Sequence, residues 1–262
     1  MARADDIRDK AAQERKLIQE AEAKRTRNIQ IIGGVVIFAI VAAIIGLAVW
    51  ARGEAEVQNT PVAALEEFVT DAALPKGASA ATDYGVPANT APGAPTFALY
   101  EDFQCPACAN FEATGFSEVL ASANRDEIEL YFHPMIFLDR NPSAKNASLR
   151  ATMAFGCAVD VDKTLEFHAG VFTLQPSDGS GWTDSQLLDL AQEVGIVGED
   201  FDSFQTCFES EKYRDWARNS QLAATLRGVP GTPGAFLNDE LLDASVLNDS
   251  SLLAEKIKEA NQ

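Results

Sequence analysis

A pair of cysteines with two residues between them, placed just after a short apolar run, restricts the possible folds more than any other feature of this sequence. The run Thr96–Tyr100 is apolar and aromatic, which predicts a buried strand. Cys105-Pro106-Ala107-Cys108 follows it within a few residues. Apolar side chains at helical spacing then predict a helix up to residue 124. The cysteine pair is therefore expected between a strand and a helix.

The cysteine pair predicts redox chemistry. At the start of a helix, two such cysteines can close a small disulfide ring, with the Cys105 sulfur exposed and the Cys108 sulfur shielded one turn below. Helix amides and the helix dipole favour the thiolate of Cys105 and lower its pKa. Cys105 is therefore the expected attacking sulfur, and Cys108 is expected to resolve the mixed disulfide.

Zinc binding is the main alternative for a cysteine pair of this spacing. A structural zinc site usually adds a second closely spaced pair of soft ligands. No such pair is visible among the remaining candidates, which are Cys157, Cys207, His133 and His168. We therefore expect no metal site.

Residues 31–50 form an uncharged apolar run of 20 residues, long enough for a helix that crosses the ~30 Å hydrocarbon core of a bilayer. Eight basic residues precede the run and only Arg52 lies just beyond it. The positive-inside rule then predicts a cytoplasmic tail over residues 1–30 and an extracytoplasmic location for residues 51–262. A cleaved signal peptide is the alternative, but the apolar run is longer than a usual signal-peptide core.

The charge of the chain limits its partners. The net charge is −18, and residues 1–30 hold eight basic and six acidic side chains, so the acidity lies beyond them. Nucleic acids and anionic lipids bind through Lys and Arg, so binding to nucleic acid is not expected. All four cysteines lie on the predicted outer side of the membrane, where disulfides are permitted.

The remaining pattern predicts one mixed α/β domain over residues 80–262, preceded by an extracytoplasmic linker over residues 51–79. A helical insertion is expected over about residues 142–227. Strands are predicted near residue 85 and over residues 128–132, 235–237 and 241–242. Helices within the insertion are predicted over residues 143–172, 183–194, 201–208 and 211–226, with Thr183 as an N-cap. Ser250 or Ser251 is expected to cap a last helix that ends at Ala260.

Several segments together resemble DsbA-type proteins of the thioredoxin fold, particularly the membrane-anchored ones of Gram-positive actinobacteria. They are FALYEDFQCPAC, the strand ELYFHPM, the long helical block and GVPGTPGAFLND. The resemblance covers roughly residues 80–262. It implies that Pro233 is preceded by a cis peptide bond and that the backbone of Thr232 pairs with an extended client segment. Pro230 is a competing candidate for the cis proline.

Two positions depart from the pattern of the family. DsbA has Pro-His between its cysteines, whereas this chain has Pro106 and Ala107, so no imidazole can stabilise the thiolate there. Thioredoxin and DsbA also carry a buried acid six positions before the first cysteine, where this chain has Leu99. Glu101 points to the same side of the strand as Leu99 and is a candidate for proton transfer. The alternative for Glu101 is a solvated carboxylate at the end of the strand.

The other two cysteines, Cys157 and Cys207, are 50 positions apart within the helical block. A structural disulfide is the favoured interpretation, because distant cysteines in exported domains usually form one. A second redox pair that relays electrons is the alternative. His133 and His168 are expected to be structural or surface residues.

The sequence thus predicts a thioredoxin-like α/β domain, anchored by one N-terminal membrane helix, that introduces disulfides into exported proteins. No metal or organic cofactor is required. The resemblance also implies a membrane reoxidase of the DsbB or vitamin K epoxide reductase kind. Alternatives are a disulfide reductase or isomerase of the same fold, and a client- or zinc-binding module without turnover.

Overall fold

The computed structural model of the chain describes residues 67–141 and 145–262. The predicted cytoplasmic tail, the predicted membrane helix and the first part of the predicted linker lie outside these residues. Within residues 67–141 and 145–262, every helix is too short or too polar to cross a bilayer.

A five-stranded sheet with the order β1-β3-β2-β4-β5 forms the centre of the domain. Strands β2 and β3 run parallel, and the other neighbouring pairs are antiparallel. β2 lies in the middle and is buried on both faces except at its first residue, which explains its continuous apolar sequence. The strands are β1 (Val86–Pro87), β2 (Thr96–Asp102), β3 (Glu129–Met135), β4 (Gly234–Leu237) and β5 (Glu240–Leu241).

Helices cover both faces of the sheet. They are α1 (Pro106–Thr114), α2 (Phe116–Asn124), α3 (Ala147–Asp160), α4 (Thr164–Thr173), α5 (Asp184–Glu193), α6 (Glu199–Glu209), α7 (Arg214–Arg227), α8 (Ala244–Leu247) and α9 (Ser250–Ala260). Short 3₁₀ turns occupy Ala80–Thr82 and Phe137–Arg140. Helices α3 to α7 form the helical insertion between β3 and β4.

Two predicted helices are each divided in two. The helix after the cysteine pair breaks at Gly115, where an added Cβ would lie 2.6 Å from the carbonyl oxygen of Leu247. The glycine therefore allows a close approach of two backbones. The predicted helix over residues 143–172 breaks between α3 and α4, where Asp162 adopts a positive φ of 57° that a helix cannot contain.

A polar side chain caps the N-terminus of both α5 and α9. Thr183 caps α5 as expected, since its side chain accepts from the Gln186 N–H in a reciprocal capping box. The predicted cap of the last helix, Ser250 or Ser251, was wrong: Asp249 caps α9, and its carboxylate accepts from the N–H groups of Ser251 and Leu252. A carboxylate at this position also interacts favourably with the helix dipole.

The end of the predicted linker binds to the helical insertion. The side-chain amide of Asn219 on α7 accepts from the Val69 N–H at 2.9 Å and donates to the Val69 carbonyl at 2.9 Å. Nearby, the Trp216 indole N–H donates to the Tyr84 carbonyl at 2.8 Å. Residues 67–84 are therefore held against α7.

Candidate active site

Cys105 lies at the junction of β2 and α1. It is the N-cap residue of α1, and Pro106 occupies the first helical position, where a missing N–H costs nothing. The Cys105 N–H donates to the carbonyl of Asp102 at 2.8 Å, so the last residue of β2 fixes the entry into the helix. Cys108 follows one turn later and is fully buried.

The Cys105 side chain is less exposed than the sequence suggested. It is only 8% exposed, because the loop before β4 lies over it. Its Sγ is 3.3 Å from the carbonyl oxygen of Thr232. The peptide bond between Thr232 and Pro233 is cis. Within the described residues it is the only cis bond, so Pro230 does not have this geometry.

The two thiols of the pair have very different pKa values. The pKa of Cys105 is lowered to about 5, first by a hydrogen bond that the Cys108 thiol donates to the Cys105 thiolate. Burial opposes this effect, while donors on Thr232 and the backbone N–H groups of Cys108 and Ala107 add to it. Burial raises the pKa of Cys108 far above its ordinary value, and the charges of Glu101 and Cys105 raise it further. Reduced Cys105 is therefore a thiolate at neutral pH, and Cys108 is a thiol.

Glu101 is buried, so the interpretation of a solvated carboxylate at the strand end is wrong. β2 continues through Asp102, and α4 of the helical insertion covers this side of its end. Glu101 is only 4% exposed, and its Oε2 lies 2.9 Å from Nε2 of His168 on α4. Burial and the charge of Cys105 raise the pKa of Glu101 well above its ordinary range.

His168 and Glu112 complete a cluster that sequence reasoning missed. His168 is 2% exposed, and its Nδ1 lies 3.5 Å from Oε2 of Glu112. Burial lowers the pKa of His168, and burial raises the pKa of Glu112 to about 8. Glu112 follows Cys108 by four residues on α1, so the i,i+4 spacing could have indicated it. Ligand atoms of Glu101, Glu112 and His168 lie within 4.8 Å of one another.

Zinc ligation of the cysteine pair finds no support in the described residues. Cys157 and Cys207 are bonded to each other and cannot act as ligands. His133 stacks on Tyr100, with ring centroids 4.4 Å apart, on the face of the sheet opposite to His168. The pair therefore has no second pair of soft ligands.

A family model described as thioredoxin matches residues 90–254, which include both cysteines and the cis proline. The chain belongs to the thioredoxin family.

Solved structures narrow the family further. MdbA from Actinomyces oris, a thiol-disulfide oxidoreductase, is 25% identical with a TM-score of 0.56, covering 71% of this chain and 86% of that one. Oxidised DsbA from Mycobacterium tuberculosis is 28% identical with a TM-score of 0.56, covering 68% of this chain and 92% of that one. The protein is accordingly a DsbA-like thiol-disulfide oxidoreductase.

A curated relative shares only part of the chain. The serine/threonine-protein kinase PknE of Mycobacterium tuberculosis is 29% identical over 107 residues, which is 38% of this chain. The matched residues make up 19% of the length of that kinase.

A second buried acid ties the active-site loop of this DsbA-like enzyme to its helical insertion. Asp102 Oδ1 accepts from the Ser148 hydroxyl at 2.5 Å, and Oδ2 accepts from the Leu138 N–H at 3.0 Å. Asp139 accepts from the backbone N–H groups of Ser148 and Leu149 at the start of α3. Burial raises the pKa of Asp102 to about 7, although the hydrogen bonds that Asp102 accepts from Ser148 and Leu138 oppose this shift.

Gln175 provides another link between the insertion and the active-site loop. Its side-chain N–H group donates to the carbonyls of Phe103 at 2.7 Å and Cys105 at 3.1 Å. The amide thereby satisfies two carbonyls on either side of the strand-to-helix turn. No spacing in the sequence indicated this residue.

The Cys157–Cys207 disulfide joins α3 to α6 within the insertion of the DsbA-like domain. Its Cα atoms are 5.8 Å apart, and both cysteines are buried. Among the described residues, Cys105 and Cys108 are the free cysteines.

Proposed function

We propose that this enzyme forms disulfide bonds in exported proteins, with Cys105 and Cys108 as its redox pair. In the oxidised enzyme, a client thiolate attacks Cys105 and breaks the bond to Cys108. A second client thiolate then attacks the client sulfur of the mixed disulfide and releases Cys105 as a thiolate. The client gains a disulfide, and the enzyme leaves with both cysteines reduced.

One observation carries the proposal: Cys105 is the N-cap of α1 and its thiol pKa is lowered to about 5. A stabilised thiolate is a good leaving group and favours the reduced enzyme, which makes the disulfide a stronger oxidant. This favours disulfide formation over the reductase alternative. Ala107 supplies no imidazole, but its backbone N–H is among the donors to the thiolate.

Client binding is assigned to the loop that faces Cys105. Thr232 lies 3.3 Å from Cys105 Sγ through its carbonyl oxygen. An extended client that places its cysteine at Cys105 would run along Thr232 and Pro233 and pair with backbone groups there. The enzyme would then show little preference for the amino-acid sequence of its client, since pairing between main chains does not depend on side chains.

We place the domain on the outer side of a membrane. The apolar run 31–50 and the basic residues before it support this location, as does a buried disulfide between Cys157 and Cys207. Turnover then requires a two-electron oxidant in or near the membrane. A reoxidase of the DsbB or vitamin K epoxide reductase type would supply it.

The decisive experiment is the reduction potential of the cysteine pair in the full chain, held in detergent. Equilibration with glutathione and thiol trapping gives the value, and Cys105→Ser and Cys108→Ser identify the titrating pair. A potential near that of DsbA, about −120 mV, is expected. A potential near that of thioredoxin, about −270 mV, would overturn disulfide formation in favour of reduction.

The location has its own test. In intact cells, a membrane-impermeant maleimide should label Cys105 after mild reduction with a membrane-permeant reductant. Cys105→Ser is the matched control for that label. Labelling only after cell lysis would contradict an extracytoplasmic domain.

A further inference from the structure

Three ionisable side chains form a row that begins at Glu101, whose charge is coupled to those of Cys105 and Cys108. Glu101 on β2 is followed by His168 on α4, with 2.9 Å between Oε2 and Nε2. Nδ1 on the other side of the ring lies 3.5 Å from Oε2 of Glu112 on α1, and it has no hydrogen-bond partner among the described residues. Each imidazole nitrogen thus faces a different carboxyl group. Glu112, with 9% of its side chain exposed, is the most exposed of the three, although its Oε1 is buried.

Aromatic side chains enclose the middle of this row. Five phenylalanine rings lie with centroids between 4.1 and 5.9 Å from that of His168. They are Phe103, Phe116, Phe132, Phe155 and Phe172. The cavity that Glu101 and His168 line beside these rings has a volume of about 10 Å³, at the lower limit for a single water molecule. A chain of waters does not fit there, so a proton crossing the cage moves from side chain to side chain.

Among the described residues, the carboxyl groups within ion-pair distance of His168 are those of Glu101 and Glu112. β2 contributes Glu101 and the α1 region contributes Glu112 and the two cysteines. The elements α2, β3 and α3 present phenylalanines to the ring, and His133 on β3 faces the opposite side of the sheet. Burial lowers the pKa of His168, and the charge of Glu112 opposes this effect.

Catalysis requires the buried Cys108 thiol to lose and regain a proton. This sulfur is buried and is a thiol in the reduced enzyme, so it must lose a proton before it can attack Cys105. Glu101 is coupled to Cys108 by charge, and its Oε1 has no hydrogen-bond partner among the described residues. However, burial keeps Glu101 itself protonated while Cys105 is a thiolate. Glu101 can accept the thiol proton only when it passes its own proton on.

We propose that His168 passes protons between Glu101 and Glu112, so that buried Cys108 exchanges its proton with solvent through the protein. The proposal rests on Cys105 and Cys108 being the redox pair. His168 touches neither substrate nor sulfur and is therefore a positioning residue. A metal ion is a poorer occupant of the cluster, because the two carboxyl groups face opposite nitrogens of one ring.

The proton balance closes over a full cycle. When a client is oxidised, the Cys105–Cys108 bond breaks, and Cys108 leaves as a thiolate that takes a proton from Glu101. Glu112, reprotonated from solvent, closes the 3.5 Å gap to His168 Nδ1 by a side-chain movement and returns a proton there, and Nε2 gives its proton to Glu101. When a disulfide-containing oxidant restores the enzyme, Cys108 loses the proton and the same transfers run in reverse. The two halves move the imidazole between its tautomers in opposite directions, so the ring need not rotate.

A stopped-flow reaction isolates the step at Cys108. The full chain, with the active-site pair reduced, is mixed with excess 5,5′-dithiobis(2-nitrobenzoate). Attack by Cys105 releases the first thionitrobenzoate in a bimolecular phase. Attack by Cys108 on the mixed disulfide releases the second in a unimolecular phase, and the proton of Cys108 must leave through the row.

His168→Gln is expected to slow the second phase roughly 10²-fold near neutral pH. Rate accelerations by general acid–base catalysis are usually of this order. The first phase and the reduction potential should stay unchanged, because a relay alters rates in both directions equally. The rate constant of the slowed second phase should increase with pH, since hydroxide then removes the proton of Cys108. Glu112→Gln should have the same effect, and the double variant should be no slower than either single one.

His133→Gln is the matched control, because it replaces a buried histidine on the opposite face of the sheet. An unchanged second phase in both His168→Gln and Glu112→Gln would overturn the relay. So would a change in both phases, or in the reduction potential, which would indicate a structural role. If Cys108→Ser releases the second thionitrobenzoate as fast as the unaltered chain, the redox pair itself is refuted. Glu112→Gln, near the surface, keeps the test valid if His168→Gln does not fold.

Discussion

The Ser148 hydroxyl donates a 2.5 Å hydrogen bond to Oδ1 of Asp102, joining the first turn of α3 to the last residue of β2. Asp102 in turn accepts from the Leu138 N–H and, through its carbonyl, from the Cys105 N–H. The helical insertion therefore helps to fix the residue from which the active-site helix begins.

Ser148→Ala should lower the free energy of unfolding by about 1–3 kcal/mol at pH 8, since it removes a donor to a buried carboxylate. The pKa of Asp102 is raised to about 7 in the folded protein, so Asp102 is charged at pH 8 and protonated at pH 5. The loss should be smaller at pH 5. Urea unfolding at both values measures it, and Ser117→Ala, at an exposed serine of α2, is the control. Equal losses at the two pH values would contradict this account.

The same raised pKa determines how stability depends on pH. Because the folded pKa of Asp102 lies above its unfolded value of about 3.9, the folded state holds this proton more tightly. Its contribution to stability is greatest below pH 4 and falls as pH rises toward 7. Asp102→Asn should remove this part of the pH dependence, even though its amide lowers stability overall. Parallel urea titrations between pH 4 and 8 that show the same slope for both proteins would disprove the assignment.

Cys108→Ala should raise the pKa of Cys105, because the hydrogen bond from Cys108 is the largest cause of its low value. The rate of alkylation of Cys105 by iodoacetamide is proportional to the fraction present as thiolate. It should therefore reach half its maximum near pH 5 in the unaltered protein. In Cys108→Ala the midpoint should move to higher pH. Thr173→Val, an exposed position on α4, should leave the midpoint in place. A midpoint that does not move in Cys108→Ala would show that the helix terminus alone stabilises the thiolate.

Much of the domain could be predicted from the sequence because its signals are local. The apolar run of β2, the cysteine pair and the Thr183 capping box depend on residues close together in the chain. Gly115 could not be identified as a helix break, since the reason is the Leu247 carbonyl from the other end of the domain. The burial of Glu101 was missed for the same reason: His168, which covers it, lies 67 positions away in the insertion.

Gly115→Ala tests the first of these long-range contacts. An added Cβ would meet the Leu247 carbonyl at 2.6 Å and the Phe111 ring at 2.7 Å, and the backbone oxygen cannot move independently of α8. Stability should fall by about 1–3 kcal/mol, as for other overpacked sites. Gly231→Ala is the control, since nothing lies within 4 Å of its added Cβ. Thermal unfolding of both variants that gives the same midpoint would contradict the proposed contact.

The Cys157–Cys207 disulfide closes a loop of 50 residues, and the chain-entropy model gives it about 4 kcal/mol of stability as an upper value. The double variant Cys157→Ala/Cys207→Ala should lose stability of this order, yet oxidise a reduced client peptide at an unchanged rate when glutathione disulfide regenerates the enzyme. Both sulfurs are buried in the helical insertion, which suits a structural bond rather than exchange with Cys105. If turnover falls sharply while stability is unaffected, the second pair relays electrons. A temperature well below unfolding separates the two effects, because the loss of structure then contributes nothing to the rate.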